Sequence, residues 1–304
     1  MSPGGLNVQL AGSICALITP WNSNDQIDIK ALKRLLHWHV QLGTRGLVLA
    51  GSTGESTALD EGELDLLWRT AKAEVGGKLS LIAGTGTSST KRSIALTRLA
   101  AEIGMDAALV VTPAYVRPTQ EGLFQHFAAV AQCGLPVILY NVPSRTACDL
   151  LPETVSRLSR IEGVVGIKEA VPTTQRLEAL SSLQRPGFAL LSGDDPTAVQ
   201  ALRLGFDGVI SVAANVVPDR FSAMVEAARQ GKYQQALEID HALRALYAAL
   251  ALEPNPIPVK FAMAALGFCH ASLRLPLTEL SRVHHDALIE SLKVAQHLSL
   301  KPAA

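Results

Sequence analysis

The sequence predicts a (β/α)8 barrel with a C-terminal helical extension, and three observations lead there. Eight short, nearly continuous apolar runs recur before residue 219: "ICALITP", "GLVLAG", "LSLIAGTG", "AALVVTP", "PVILYNVP", "VVGIKEA", "FALLSGDD" and "GVISVAAN". They begin near residues 13, 46, 79, 107, 136, 164, 188 and 208, a spacing of 20 to 33 residues that suits one β–α unit apiece. The first run ends in "TPW", without the glycine-rich loop that an open doubly wound sheet usually carries there.

Each element follows from its residues. Runs apolar at successive positions are what strands need when both faces are buried, as in a parallel sheet. Between them lie amphipathic segments with apolar residues at helical spacing, including "ALKRLLHWHVQLG", "DEGELDLLWRTAKAEVGG", "TKRSIALTRLAAEIG" and "LPETVSRLSRI". Several close on glycine, a helix C-terminal signal. From about residue 219 the strand runs stop, and "DRFSAMVEAARQG", "YQQALEIDHALRALYAALAL", "PIPVKFAMAALG" and "LTELSRVHHDALIESLKVAQHL" read as helices. The expected organisation is a catalytic barrel over 1–218 and a helical extension over 219–304.

Composition narrows the partners. Lys plus Arg and Asp plus Glu balance at 27 each, and no block of like charge offers a footprint for nucleic acid or an acidic membrane. A small molecule or another subunit is expected instead. Cys15, Cys133, Cys148 and Cys269 make no CxxC pair, so they read as thiols in a reducing compartment. The start of the chain has no Lys or Arg before Lys30 and its apolar stretch is broken by Gly12 and Ser13, unlike a secretory signal. With no run long enough to span a bilayer, a cytoplasmic protein is expected.

In a barrel, function gathers at the C-terminal ends of the strands. Those ends read Thr19, "GSTGES", "GTGTSS", "TPAYVRP", "YNVPSRT", "KEA", "SGDD" and "AAN". Lys168 lies near the end of the sixth strand, above an apolar floor. An amine in such a setting is favoured to be unprotonated, and an unprotonated amine can attack a carbonyl to form a Schiff base. Pairing with Glu169 is disfavoured, because adjacent strand residues point to opposite faces. The other candidate, Lys260, falls on a helix, where packing or snorkelling is expected.

Tyr140 and Tyr115 end or follow the fifth and fourth strands, and each is either a proton shuttle or a core tyrosine. Thr53 in "GSTGES" could supply a partner hydroxyl, and the glycines around it allow N–H groups to converge on an anion; the segment also reads as a tight turn. Arg145 could hold a carboxylate through two parallel bonds, or make an ordinary surface salt bridge. The pairs His37/His39 and His284/His285 read as solvated or partly packed helix residues rather than metal ligands.

With these residues in view, the chain resembles the dihydrodipicolinate synthase family of pyruvate-dependent aldolases, which also includes N-acetylneuraminate lyase. The resemblance runs from "GSICALITPW" to the C-terminus through "GSTGES", "VTPAYVRPTQEGLFQHF", "YNVPSRT", "GIKEA", "LLSGDD", "GVISVAAN" and "EPNPIPVK". It implies a Schiff base between pyruvate and Lys168, and a proton relay from Tyr140 through Thr53 to Tyr115 of a neighbouring subunit. It further implies that the pyruvate carboxylate lies on the backbone of Ser52 and Thr53, with Gly193 and Ile210 lining the pocket. Arg145 would hold L-aspartate 4-semialdehyde, the second substrate. No metal or organic cofactor is implied, and a homo-oligomer, favouring a dimer of dimers, is.

The alternative within the superfamily is a sugar-acid aldolase of the N-acetylneuraminate lyase type, whose members usually lack an arginine in the Arg145 loop. A non-catalytic barrel would lack the lysine or both tyrosines. Lysine-sensitive members resemble this chain at Ser56 and Thr57, but it carries Leu64, Ser88, Arg92 and Ala114 where they carry a histidine, an asparagine, a glutamate and a tyrosine. Weak or absent inhibition by L-lysine is therefore expected.

Overall fold

Side chains alternate across a strand, and here both directions are apolar. Ile14, Val48, Ile82, Leu109, Ile138, Leu191 and Ile210 pack with one another, whereas Cys15, Leu47, Leu81, Ala108, Leu139, Ile167, Leu190 and Val209 belong to a second, larger cluster shared with the helices. One set fills the inside of a ring of strands and the other lies between that ring and its helices. This is why the runs read as continuously apolar.

The structure, a computed structural model, describes residues 10–297. Its strands are β1 (Gly12–Ala16), β2 (Gly46–Leu49), β3 (Ser80–Gly84), β4 (Ala107–Val111), β5 (Val137–Asn141), β6 (Val164–Glu169), β7 (Ala189–Ser192) and β8 (Gly208–Ser211). Each pairs in parallel with the next, and β8 pairs with β1 to close the barrel. Between them run α1 (Ile29–Gln41), α2 (Glu61–Val75), α3 (Thr90–Ile103), α4 (Gln120–Ala131), the single turn α5 (Pro143–Thr146), α6 (Pro152–Leu158), α7 (Thr174–Ser181) and α8 (Ala198–Arg203). The helices α9 (Pro218–Arg229), α10 (Tyr233–Leu250), α11 (Ile257–Ala265) and α12 (His285–His297) follow β8. The barrel with a helical C-terminal extension is thus the observed fold class.

Local chemistry sets where the helices begin. Asp28, Ser89, Thr119 and Thr173 each accept a bond from a first-turn N–H, and Asp60 forms a reciprocal capping box with Glu63, satisfying donors that a helix start leaves unpaired. At the other end of α3, Gly104 takes the left-handed conformation at φ +82°, where glycine carries no steric penalty.

Beyond β8, α9 lies against β1, α10 against α9 and α12, and α11 against the turn Ala213–Asn215. The last helix is shorter than its apolar pattern suggests: it starts at His285 rather than at Leu277. The backbone of the intervening segment is committed elsewhere, with Ser281 N–H donating to Glu253 Oε1 at 3.2 Å and Leu280 O bonded to the His285 ring at 2.9 Å. Residue 298, the last of that expected helix, lies outside the described residues.

Candidate active site

The register of β5, β6 and β7 builds the site. Lys168 stands opposite Tyr140 on one side and Leu191 on the other, and it shares their inward orientation. Its side chain is 5% exposed, with Nζ over the Tyr140 ring at 4.3 Å from the centroid. Gly193 at the end of β7 leaves room for it: a Cβ there would come within 2.8 Å of Lys168 Cε. Ile210 on β8 is buried in the same inner cluster as Tyr140 and Leu191.

The residues flanking the two inward groups face the other way and bond each other. Asn141 Nδ2 donates to both Glu169 oxygens at 3.1 Å and to Asp149 Oδ1 at 2.8 Å. Arg176 on α7 donates to Glu169 Oε2 at 3.2 Å and to Asp149 Oδ2 at 2.6 Å. Burial pushes the Glu169 carboxyl up to about 7, against the pull of the Val171 N–H, Asn141 and Arg176. Glu169 thus turns away from Lys168, as strand alternation requires.

The "GSTGES" segment forms consecutive turns after β2. Gly54 N–H and Ser56 N–H both donate to Gly51 O, at 3.0 and 3.2 Å, and Glu55 N–H donates to Ser52 O at 3.2 Å. Among the described residues no acceptor takes the N–H groups of Ser52 and Thr53, so both can serve an anion. Thr53 is buried, and its Oγ1 accepts from Asn255 Nδ2 at 3.0 Å. Asn255 was not singled out by sequence reasoning; its only signal was its place in "EPNPIPVK". Its carbonyl also accepts from Arg145 Nη2 at 2.7 Å, which sets the otherwise exposed Arg145 at the rim.

The expected relay is not closed within one chain. Among the described residues no hydrogen bond joins Tyr140 to Thr53, and Tyr115, in the loop after β4, is 94% exposed with φ +72°. Two of the positions expected to bear on lysine sensitivity meet here, for Ser88 Oγ, in the loop after β3, donates to Ala114 O at 2.8 Å. Leu64 is buried and Arg92 exposed.

Two expectations about other groups need correction. Lys260 neither snorkels nor merely packs: it is fully buried, donating to Thr19 O at 2.5 Å and Glu55 Oε1 at 2.8 Å. Burial lowers its pKa, and Glu55 opposes that shift. His39 is not solvated or partly packed but fully buried and bonded to Thr44 Oγ1 at 2.9 Å, because α1 turns that face onto the barrel; burial lowers it to about 3. His37, by contrast, is exposed and pairs with Glu74 at 2.9 Å.

A closed parallel barrel that carries a buried lysine against a tyrosine at the C-terminal end of its strands, and after β2 a turn with two N–H groups that no described residue accepts, has the architecture of a barrel enzyme. The family model described as the dihydrodipicolinate synthetase family matches residues 9–295. The chain belongs to that family. It is 48% identical over 281 residues to a 4-hydroxy-tetrahydrodipicolinate synthase of Stenotrophomonas maltophilia, covering 92% of this chain and 94% of the relative. Among solved structures, it superposes with a TM-score of 0.93 on a chloride-inhibited dihydrodipicolinate synthase from Acinetobacter baumannii complexed with pyruvate, at 41% identity and covering 95% and 99% of the two chains. A monomeric dihydrodipicolinate synthase variant aligns with a TM-score of 0.92 at 37% identity, covering 95% of this chain and 97% of that one.

Proposed function

We propose that the protein condenses pyruvate with L-aspartate 4-semialdehyde to 4-hydroxy-tetrahydrodipicolinate, the first committed step towards diaminopimelate and lysine. The observation that carries this reading is the buried Lys168 amine over the Tyr140 ring, in the mouth of a barrel from this family. The Lys168 amine adds to the pyruvate ketone and water leaves, giving an iminium. The iminium withdraws electrons from the methyl group, whose proton is lost to form an enamine. The enamine carbon attacks the aldehyde, and Tyr140 protonates the resulting alkoxide. The amine of the second substrate then displaces Lys168 from the imine carbon and closes the ring, so no cofactor enters the balance.

In this reading the N–H groups of Ser52 and Thr53 take the pyruvate carboxylate, Gly193 and Ile210 shape its pocket, and Arg145 holds the semialdehyde carboxylate. Tyr115, exposed in one chain, completes the relay in a neighbouring subunit, which makes a dimer the smallest complete site and a dimer of dimers the expected assembly. Residues 1–218 carry the chemistry, and 219–304 support it through Asn255. A cytoplasmic location is part of this reading; among the described residues no helix is long and apolar enough to cross a membrane. Arg92, exposed in the first turn of α3 four residues after Ser88, supports weak or absent inhibition by L-lysine, since a guanidinium repels its ammonium groups.

Following product formation from the two substrates tests the reaction, and Arg145→Ala tests the assignment of the second one. Losing one charge-assisted bond, about 1.5–3 kcal/mol, raises KM for the semialdehyde roughly ten- to a hundredfold. Pyruvate binding should be nearly unchanged. Normal condensation by the variant would contradict the role of Arg145.

A further inference from the structure

We propose that Lys260 and Glu55 form a buried ion pair whose task is to position the Ser52–Thr53 loop, making both positioning residues for the reaction. The inference rests on the assignment of that loop to the pyruvate carboxylate. Glu55 is held at φ +56°, a left-handed conformation that costs a non-glycine residue energy and persists only where the surroundings over-determine it. Its carboxylate supplies that determination. Oε1 accepts from Trp21 Nε1 at 2.9 Å and Lys260 Nζ at 2.8 Å, and Oε2 accepts from Arg274 N–H at 3.0 Å.

Lys260 reaches the loop by a second route. Its Nζ donates to Thr19 O at 2.5 Å, and Thr19 Oγ1 donates to Gly54 O at 2.7 Å. Five residues before Lys260, Asn255 holds Thr53 Oγ1. One short piece of chain leading into α11 therefore grips the loop on both sides of Gly54. The far side of the pair is anchored too, since the Arg274 guanidinium stacks on the Trp21 ring at 3.9 Å and bonds Glu63 on α2.

A fully buried ion pair is a poor source of stability, because an apolar pair of similar volume is often as stable or more so. What the charges add here is placement. The same geometry removes Lys260 from chemistry: two of its three donors are committed and it has no exposed surface.

The test is the double variant Glu55→Gln/Lys260→Met, which leaves no unpaired charge. Borohydride trapping is titrated against pyruvate, alongside kcat and Tm. The adduct should stay on Lys168, while half-saturating pyruvate rises and kcat falls, each by about tenfold or more. Trp21→Phe removes a single bond to Glu55 and should shift both in the same direction by roughly two- to threefold. It decides the matter if the double variant does not fold. A changed Tm with unaltered pyruvate dependence and kcat would overturn the proposal, leaving the pair a structural role only. A wild-type adduct on a residue other than Lys168 would instead overturn the underlying site assignment, and the same trapping on the unsubstituted parent protein reveals that independently.

Discussion

Replacing Gly193 by alanine perturbs the position of Lys168 without altering its chemistry. The added Cβ would lie 2.8 Å from Lys168 Cε and 3.1 Å from both Lys168 Cγ and Glu169 O. Carbon atoms rest at about 3.5 Å or more, so the lysine stem must retreat by about 0.7 Å. Gly193 is not in the left-handed region, so alanine adds no backbone strain. Overpacking of this kind costs about 1–3 kcal/mol, and each kcal/mol lowers Tm by about 2–4 °C in a domain of 150–250 residues and somewhat less in a larger one. A displacement approaching 1 Å at a reacting atom costs about a hundredfold in rate. Gly193→Ala should therefore remain folded, with kcat reduced by one to two orders of magnitude. Stopped turnover assays beside a thermal melt separate the two effects. Wild-type turnover in a folded variant would refute the placement of the amine beneath Gly193.

Tyr115 is expected to act across a subunit interface, so mixing inactive Lys168→Ala and Tyr115→Phe proteins under exchanging conditions should restore part of the activity. Proven exchange without recovery would count against a shared site. Glu169 makes a prediction about pH. Its native carboxyl, raised from 4.5 to about 7 mainly by burial, stays protonated where the unfolded chain has already ionised. The native state therefore binds more protons between those values, and stability falls as pH rises through that window. The difference is about 3 kcal/mol, absent below pH 4.5 and complete above about 7. Glu169→Gln should remove this loss, so its Tm should change less than the parent's between pH 5 and 8; parallel curves would show that Glu169 titrates elsewhere.

The barrel was legible because burial on both strand faces leaves an unbroken apolar run, a local signature. Lys168 and Tyr140 were legible for the same reason, as polar groups ending such runs. Glu169's outward turn followed from strand alternation alone. Lys260 was not legible: its partner Glu55 lies far away in the chain, and nothing local separates a buried paired lysine on a helix from a snorkelling one. Asn255 was missed because its contacts, Thr53 and Arg145, come from loops after two different strands. The start of α12 was misread because "LTELS" carries helical spacing while its backbone is bonded to Glu253 and His285.

The central claim is that Lys168 carries pyruvate as an imine. Incubation with pyruvate alone, reduction with borohydride and peptide mapping test it directly. The account predicts one adduct per chain, mapped to Lys168 and absent from Lys168→Ala. An adduct on Lys260, or undiminished labelling of Lys168→Ala, would contradict it.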